Sequence, residues 1–110
     1  NEDEICAMIE TKNLDDGITY AKSLDIITII TRNEKGSLII NKDNVIKIEA
    51  INNNKIVDTT GAGDLYASGF LYGLCKQKSL AECGRLASIA ASEIISHFGV
   101  RPQVKLSSLI

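Results

Sequence analysis

The segment at residues 58–64 (DTTGAGD) combines two carboxylates, two threonines and two glycines, and it holds no large apolar side chain. A helical apolar pattern follows it, so the segment is typical of a turn that leads into a helix. The first N–H groups of a helix have no intrahelical partner, and the helix dipole adds partial positive charge there. Gly61 and Gly63 let the backbone turn tightly and let an anion approach without a Cβ in the way. The segment therefore predicts a site for an oxyanion or a phosphate.

Two common phosphate-binding loops do not fit this segment. A Walker A loop ends in Gly-Lys-Ser/Thr, whereas Gly63 is followed by Asp64 and Leu65. A dinucleotide fingerprint, GxGxxG, needs glycine or alanine where this chain has Tyr66. The predicted anion site is therefore of another kind.

Asp64 places a negative charge beside the predicted phosphate site, where it would repel the ligand. The charge is useful if the carboxylate takes a proton, because a hydroxyl that attacks the γ-phosphoryl group of ATP needs a base within hydrogen-bond reach. The alternative is that Asp64 only adds an acid to the first helical turn, where acids are favoured. The residue types alone leave both interpretations open.

The cysteine and histidine residues narrow the chemistry further. Cys6, Cys75 and Cys83 are widely spaced and form no CxxC pair, which is typical of buried thiols in a reducing, cytoplasmic setting. His97 is the only histidine, so neither a zinc site built on several histidines nor a Ser-His-Asp triad is expected. We expect His97 near a helix C-terminus, where its ring suits the helix dipole.

The composition is that of one compact domain. The chain has 110 residues, of which 45% are hydrophobic and 24% charged, with a net charge of −2. The slight acidity argues against nucleic-acid binding through a basic face. The longest apolar runs have the length of strands and are too short for a membrane span. Neither a nucleic acid nor a membrane is therefore an expected partner.

Apolar residues at helical spacing predict the helices that must position the candidate site residues. The predicted helices are residues 2–12, residues 15–23, a helix from the 58–64 segment to Lys76, and a helix from Ser79 to near Gly99. Gly17 weakens the second of them. Ser79 and Glu82 form a capping-box pattern, and Pro102 prevents the last helix from continuing.

The strands are predicted from β-branched and alternating residues. The run at residues 26–31 predicts a strand buried on both faces, as in a parallel sheet covered by helices. Residues 37–40 and 45–48 predict two further strands joined by a hairpin turn at residues 41–44. Residues 56–57 form a very short predicted strand before the glycine turn. The order of strand, turn and helix indicates an α/β protein.

The DTTGAGD segment and the LYASGFLYGL that follows it closely resemble the second signature of the ribokinase-like (PfkB) carbohydrate and nucleoside kinases. The resemblance implies that Asp64 is the catalytic base. It also implies that the backbone N–H groups of Ala62, Gly63 and Asp64, in the turn that begins at Gly61, form an anion hole.

Two further landmarks of that family occur in the expected order. Asn1 and Glu4 in NEDE match an N-x-x-E motif that organises Mg²⁺ and phosphates, largely through water; the alternative is an acidic helix start. The family also carries T-x-G-x-x-G near the ATP phosphates and the nucleoside. This chain keeps Thr31 and Gly36 and has Asn33 at the middle glycine. Asparagine tolerates a left-handed backbone better than most residues, so the turn is expected to form.

The resemblance implies two more binding regions. Asp58 and Thr60 match positions that help bind a monovalent cation such as K⁺, together with carbonyl groups around residues 95–103; the alternative for Asp58 is a turn-forming Asx residue. The 88–92 segment resembles the helix that lines the adenine pocket, which points to Ser88, Ala91 and Ser92. The alternative for these small residues is tight helix packing.

The resemblance also implies an overall organisation. It predicts a three-layer αβα ribokinase-like fold with a β-hairpin, of which residues 1–110 are only the C-terminal, ATP-binding and catalytic portion. The chain begins without Met at the expected magnesium-site asparagine, so we expect that an N-terminal part with the acceptor site and the lid is missing. That part of the same kinase is then a partner, and a homodimer is allowed because relatives often pair through the lid.

The predicted activity is transfer of a phosphoryl group from ATP, with Mg²⁺, to a hydroxyl of a sugar or nucleoside. The stretches GFLYGL, AASEII and HFGVRP are most similar to the adenosine-kinase-type branch, which favours adenosine. The alternative is a truncated, non-catalytic fragment that binds a nucleotide or phosphate. A third interpretation, an unrelated α/β domain with a chance match, would leave the recurrence of three landmarks unexplained.

Overall fold

The computed structural model describes residues 1–51 and 56–109. The chain divides into two compact units, an N-terminal unit (Asn1–Ala50) and a C-terminal unit (Ile51–Ile110). The anion turn predicted at residues 58–64 belongs to the C-terminal unit.

The N-terminal unit consists of two helices followed by a three-stranded sheet. The elements are α1 (Glu2–Met8), α2 (Leu14–Lys22), β1 (Ile27–Thr31), β2 (Ser37–Asn41) and β3 (Asn44–Ile48). The sheet is antiparallel with the order β1-β2-β3. Its core is a cluster of buried apolar side chains, which are Ile5, Ala21, Ile30, Leu38 and Ile40. Burial of these side chains on both helices and two strands holds the unit together.

The first two helices form where the sequence predicts them, although α1 is shorter. Glu10 adopts a left-handed φ of 56°, and the Thr11 N–H donates to the Cys6 carbonyl, which ends α1 early. Gly17, which is unfavourable for α2 by propensity, lies against α1, because a Cβ there would stand 3.3 Å from Ile5 Cγ2. The glycine therefore allows the two helices to approach closely.

The prediction that residues 26–31 form a strand buried on both faces of a parallel sheet was wrong. β1 pairs with β2 in the antiparallel sense, and Ile30 is its only buried residue. The central strand is β2, and its first four residues are all buried. A continuous apolar run predicts a strand but does not specify its neighbours, which depend on pairings between distant residues. The hairpin turn between β2 and β3 is confirmed, with Lys42 at a φ of 55°.

The C-terminal unit is built on two long helices. These are α3 (Ala62–Cys75) and α4 (Leu80–Ile94), and a short 3-10 helix (Leu106–Leu109) follows. Ser79 caps α4 by accepting a hydrogen bond from the Glu82 N–H at 3.2 Å. The predicted strand at residues 56–57 is absent from the described elements, because the Val57 N–H instead donates to the Ile95 carbonyl at 2.7 Å.

Helix α3 packs directly on α4 through its glycines. A Cβ on Gly69 would lie 2.8 Å from Ala87 Cα, and one on Gly73 would lie 2.8 Å from Cys83 Sγ. The backbone of α3 therefore touches α4, and this contact sets the position of the N-terminus of α3. Across the described residues, no helix has both the length and the apolar character needed to cross a bilayer.

Candidate functional site

The turn before α3 is closed by the side chain of its first residue. Asp58 Oδ1 accepts hydrogen bonds from the Thr60 N–H at 3.0 Å and from the Thr60 hydroxyl at 2.7 Å. The backbone hydrogen bond, followed by that of the hydroxyl, holds the pKa of Asp58 below its ordinary value. The turn-forming interpretation of Asp58 therefore has direct structural support.

Gly61 is the position where the chain reverses into the helix. Its φ of 84° lies in the left-handed region, and it is the N-cap residue of α3. Its carbonyl accepts the N–H of Leu65 at 3.0 Å, which is the first helical hydrogen bond. A Cβ at Gly61 would also stand 3.3 Å from Val100 Cγ1, so both the backbone angle and the space favour glycine.

The start of α3 presents two backbone N–H groups for an anion. Within the described residues, the Gly63 and Asp64 amides have no acceptor, whereas the Ala62 N–H donates to the Thr59 carbonyl at 3.2 Å. A Cβ built on Gly63 would meet no heavy atom within 4 Å, so the space beside these amides is open. The arrangement can bind an oxyanion, with Gly63 and Asp64 as direct donors and Ala62 already engaged.

The Asp64 carboxylate is exposed in the first turn of α3. Among the described residues it has neither a hydrogen-bond donor nor a cationic partner, and only the backbone carbonyl of Asp64 is bonded, to the Ser68 hydroxyl at 2.9 Å. A carboxylate that served to cap the helix would accept a backbone N–H of the first turn. The free carboxylate can therefore accept a proton from a group outside the chain.

The end of α4 lies beside the turn. The Ile95 carbonyl accepts the N–H groups of Val57 at 2.7 Å and of Asp58 at 3.2 Å. This carbonyl is thus already used, while Asp58 Oδ2 has no partner in the described part of the chain. The side-chain atoms with which Asp58 and Thr60 could bind a cation are all oxygens. Oxygen ligands suit a hard monovalent cation rather than a soft metal.

The three residues of the predicted adenine helix differ in availability. Ser88 is buried, and its hydroxyl donates to the Gly84 carbonyl at 2.9 Å within the helix. Ala91 and Ser92 are half-buried. Ser92 contributes to a cavity of about 530 Å³ that also includes Glu93 and Ser96. The geometry at Ser88 favours helix packing, whereas Ser92 borders open space.

The other predicted site residues belong to the N-terminal unit. Asn1 and Glu4 cap α1 reciprocally: Asn1 Oδ1 accepts the Glu4 N–H at 2.8 Å, and Glu4 Oε1 accepts the Asn1 amino group at 2.8 Å. The described residues contain no group of three acidic, histidine or cysteine side chains that could hold a metal ion. Both side chains are engaged in the cap of α1.

The Thr31–Gly36 turn is well formed despite the asparagine. Asn33 adopts a left-handed φ of 54°, as expected. The Arg32 N–H donates to the Gly36 carbonyl at 2.8 Å, which closes the turn. Gly36 has a φ of 87°, and a Cβ there would stand 2.0 Å from the Ile48 carbonyl oxygen. The fold itself therefore requires Gly36, and Thr31, at the end of β1, is half-buried.

A buried polar network near the turn was not predicted from the sequence. Glu93 Oε1 lies 2.7 Å from His97 Nε2 and accepts the Gln103 N–H at 3.1 Å. His97 follows the end of α4, as predicted. The available signal was a glutamate in an otherwise small and apolar helical stretch, four residues before the only histidine.

Comparisons with known proteins relate the chain to phosphotransferases. The model of the family described as pfkB family carbohydrate kinase matches residues 1–106. A nucleoside kinase of Methanocaldococcus jannaschii is 39% identical over 80 residues, which are 73% of this chain and 26% of the relative.

Two solved structures resemble the chain over nearly its whole length. Adenosine kinase from Sinorhizobium meliloti is 36% identical with a TM-score of 0.93, and the match covers 99% of this chain and 33% of that one. A probable sugar kinase from Rhizobium etli CFN 42 is also 36% identical, with a TM-score of 0.94 and the same coverage. The chain thus spans about a third or less of the length of these relatives.

Proposed function

This chain belongs to the pfkB family of carbohydrate kinases, and from that premise we propose that it forms the ATP-binding and catalytic portion of a kinase that phosphorylates a hydroxyl group of a sugar or nucleoside. The ribokinase-like α/β fold is confirmed by the solved relatives. The observation that carries the proposal is the start of α3, where two amides and the exposed Asp64 carboxylate all lack a partner among the described residues.

Asp64 acts as the general base in this proposal. Its carboxylate accepts the proton of the attacking hydroxyl while the new O–P bond forms and the bond between the γ-phosphoryl group and ADP breaks. The Gly63 and Asp64 N–H groups donate hydrogen bonds to the oxygens of the transferred group, where negative charge is spread in the transition state. The N-terminal end of the α3 dipole stabilises the same charge.

The proposed cofactors are Mg²⁺ with ATP and K⁺ as a monovalent cation. Bound Mg²⁺ would neutralise charge on the ATP phosphates. Because the described residues include no cluster of three metal-ligating side chains, most of its ligands would be phosphate oxygens and water, with Asn1 and Glu4 acting through water. K⁺ would take oxygen ligands from Asp58 and Thr60, which the structure joins in one turn.

Further nucleotide contacts are proposed within each unit taken by itself. In the N-terminal unit, the closed turn that contains Thr31, Asn33 and Gly36 is the proposed contact for the ATP phosphates and nucleoside. In the C-terminal unit, Ala91 and Ser92 are proposed to line the adenine site. Ser88 contributes there through its small size, because its hydroxyl is already bonded within α4.

Adenosine is the favoured acceptor. The supporting observation is that the similar proteins include one named adenosine kinase and one named nucleoside kinase. A second candidate function is a non-catalytic module that binds a nucleotide or phosphate. It is favoured by the coverage of about a third of each solved relative, because the turn alone can bind a phosphate without an acceptor site.

The test replaces Asp64 by asparagine in the natural polypeptide that contains this chain. Phosphorylation of adenosine from radiolabelled ATP is expected to fall by about 10²–10⁴-fold, which is the typical contribution of a general base. Nucleotide affinity, measured by calorimetry, is expected to change by no more than about twofold, because asparagine keeps the backbone N–H groups and the shape of the side chain.

Glu82→Gln is the matched control. Glu82 and Asp64 both stand at the third position of a helix, after the N-caps Ser79 and Gly61, so both substitutions remove the same helix-dipole interaction. Turnover that survives in Asp64→Asn, or that falls equally in Glu82→Gln, would refute the assignment of the base. If the wild-type protein binds nucleotide but shows no turnover, the non-catalytic module would be favoured.

A further inference from the structure

Glu93 is a buried carboxylate for which the proposed chemistry has no use. It lies near the end of α4, and its side chain is only 6% exposed. Burial of a carboxylate is costly unless hydrogen bonds or a counter-charge compensate for the lost hydration. The partners that hold Glu93 therefore indicate what the side chain does for the fold.

Both partners of Glu93 lie in the segment that follows α4. Oε1 lies 2.7 Å from His97 Nε2 and accepts the Gln103 N–H at 3.1 Å. His97 Nδ1 lies 2.9 Å from the Phe98 carbonyl oxygen, which can only accept, so Nδ1 carries a hydrogen. One carboxylate thus binds both the beginning and the end of residues 97–103, which we name the 97–103 loop.

The 97–103 loop lies directly against the anion turn. Val100, in the middle of the loop, has its Cγ1 3.3 Å and its Cβ 3.4 Å from the position that a Cβ of Gly61 would occupy. Ile95, the C-cap residue of α4, supports the same turn, since its carbonyl accepts the Val57 and Asp58 N–H groups. The turn therefore rests on two surfaces, and Glu93 holds one of them.

We propose that Glu93, together with His97, is a positioning residue that keeps the 97–103 loop packed on Gly61 and so fixes the direction of the Gly63 and Asp64 N–H groups. Glu93 does not touch the substrate in this arrangement; it acts through the loop. The catalytic part of this inference rests on the proposed kinase function. Donors to a developing charge must be held in place before the reaction, and a displacement of about 1 Å can cost about 10²-fold in rate.

The second carboxylate oxygen offers a graded test. Glu93 Oε2 is buried and has no hydrogen-bond partner within the described residues. In Glu93→Gln, Oε1 can still accept from Gln103 while the amide NH₂ replaces Oε2, so the loop is expected to be held more weakly. Glu93→Leu has a similar volume and keeps neither bond. A positioning role therefore predicts that the 97–103 loop is held most tightly in the wild type, less tightly in Glu93→Gln and least tightly in Glu93→Leu.

The first measurement is hydrogen exchange on the natural polypeptide that contains this chain. In Glu93→Leu, exchange at the hydrogen-bonded amides of residues 57, 58, 60, 62 and 103 is expected to rise at least tenfold, whereas the middle of α3 remains protected as in the wild type. Glu93→Gln should fall between the two, and Glu82→Leu, at an exposed position of the same helix, should change neither region. Unchanged exchange at 57–64 in Glu93→Leu would overturn the proposal, as would an equal rise in all segments.

The second measurement separates kcat from KM for phosphoryl transfer. Because the amides act on the transition state, Glu93→Leu should lower kcat about 10- to 100-fold while the KM for ATP changes by less than about threefold. Partial recovery of kcat in Glu93→Gln supports the positioning role. A kcat equal to that of the wild type in Glu93→Leu would overturn it.

Failure of the kinase assignment is distinguishable from failure of this inference. A wild-type protein without transferase activity would refute the proposed function, and the exchange measurement would still decide whether Glu93 holds the turn. If Glu93→Leu does not fold, His97→Ala is measured in its place. This substitution removes the His97 partner of Glu93 while the bond from the Gln103 N–H remains. Unchanged exchange at residues 57–64 in His97→Ala would then overturn the proposal.

Discussion

At the residue scale, the two glycines of the anion turn have different tasks. Gly61 is needed for its left-handed φ of 84° and for the space beside Val100. Gly63 has an ordinary helical position and open space where a Cβ would stand. The sequence located both glycines, but only their backbone angles and surroundings separate a requirement of the fold from a requirement of the ligand.

Alanine substitutions at the two glycines are expected to have opposite effects. Gly61→Ala should destabilise the protein by about 1–2 kcal/mol, because a non-glycine residue is strained in the left-handed region. Gly63→Ala should leave stability unchanged or raise it by up to about 1 kcal/mol through helix propensity. It should nevertheless weaken nucleotide binding about tenfold or more, because the methyl group fills the space beside the free amides.

Urea unfolding and calorimetric titration with nucleotide distinguish these effects. Loss of stability in Gly63→Ala, or unchanged nucleotide binding in that variant, would contradict the assignment of the open space to an anion.

The Asp58 carboxylate gives the turn a dependence on pH. The Thr60 hydrogen bonds lower the pKa of Asp58 from its ordinary value of 3.8, so the ionised form is favoured in the folded protein. The resulting contribution to the turn is fully present above the unfolded pKa and is lost as the pH falls through the lower folded pKa. The Thr60 amide resonance should therefore titrate below pH 3.8, and Asp58→Asn should abolish this titration. A midpoint above the ordinary value would contradict the hydrogen-bonded turn.

At the scale of elements, the position of the N-terminus of α3 depends on helix packing. The glycines of α3 at residues 69 and 73 bring its backbone onto α4. The distances show that a side chain at either position would not fit between the two helices. The helices, the hairpin and the positions of all three strands were predicted from local patterns, whereas the antiparallel pairing of β1 and the central place of β2 depended on tertiary structure.

Gly69→Ala tests this packing. Alanine normally stabilises a helix relative to glycine by about 1 kcal/mol, but here the added Cβ would stand 2.8 Å from Ala87 Cα and 2.9 Å from the Leu86 carbonyl oxygen. Since backbone atoms cannot move aside as a flexible side chain would, we expect a net loss of about 1–3 kcal/mol in the free energy of unfolding. Gly63→Ala is the matched control in the same helix. A stabilised Gly69→Ala variant would show that the helices separate without cost.

At the scale of the whole molecule, the chain spans 33% of each of the two solved relatives and carries one complete anion turn. The Asp64 carboxylate is the proposed base, but none of the predicted site residues is assigned to hold the acceptor.

The 110-residue chain by itself is therefore expected to transfer no phosphoryl group to adenosine. Proximity between the acceptor hydroxyl and the γ-phosphoryl group supplies a large part of catalysis, and it is lost without an acceptor site. The radiolabelled-ATP assay on the purified chain, beside the natural polypeptide that contains it, checks this expectation. Robust phosphorylation by the isolated chain would contradict it.

The sequence by itself determined the position of the anion turn, the candidate base at Asp64 and most helices and strands. These features depend on glycines, caps and apolar spacing within a few neighbouring residues. The tertiary structure alone decided which strand is central, which amides remain free, and that Glu93 is buried against His97 and Gln103. The physical reason is that burial and hydrogen-bond partners arise from contacts between residues that folding, rather than the order of the chain, brings together.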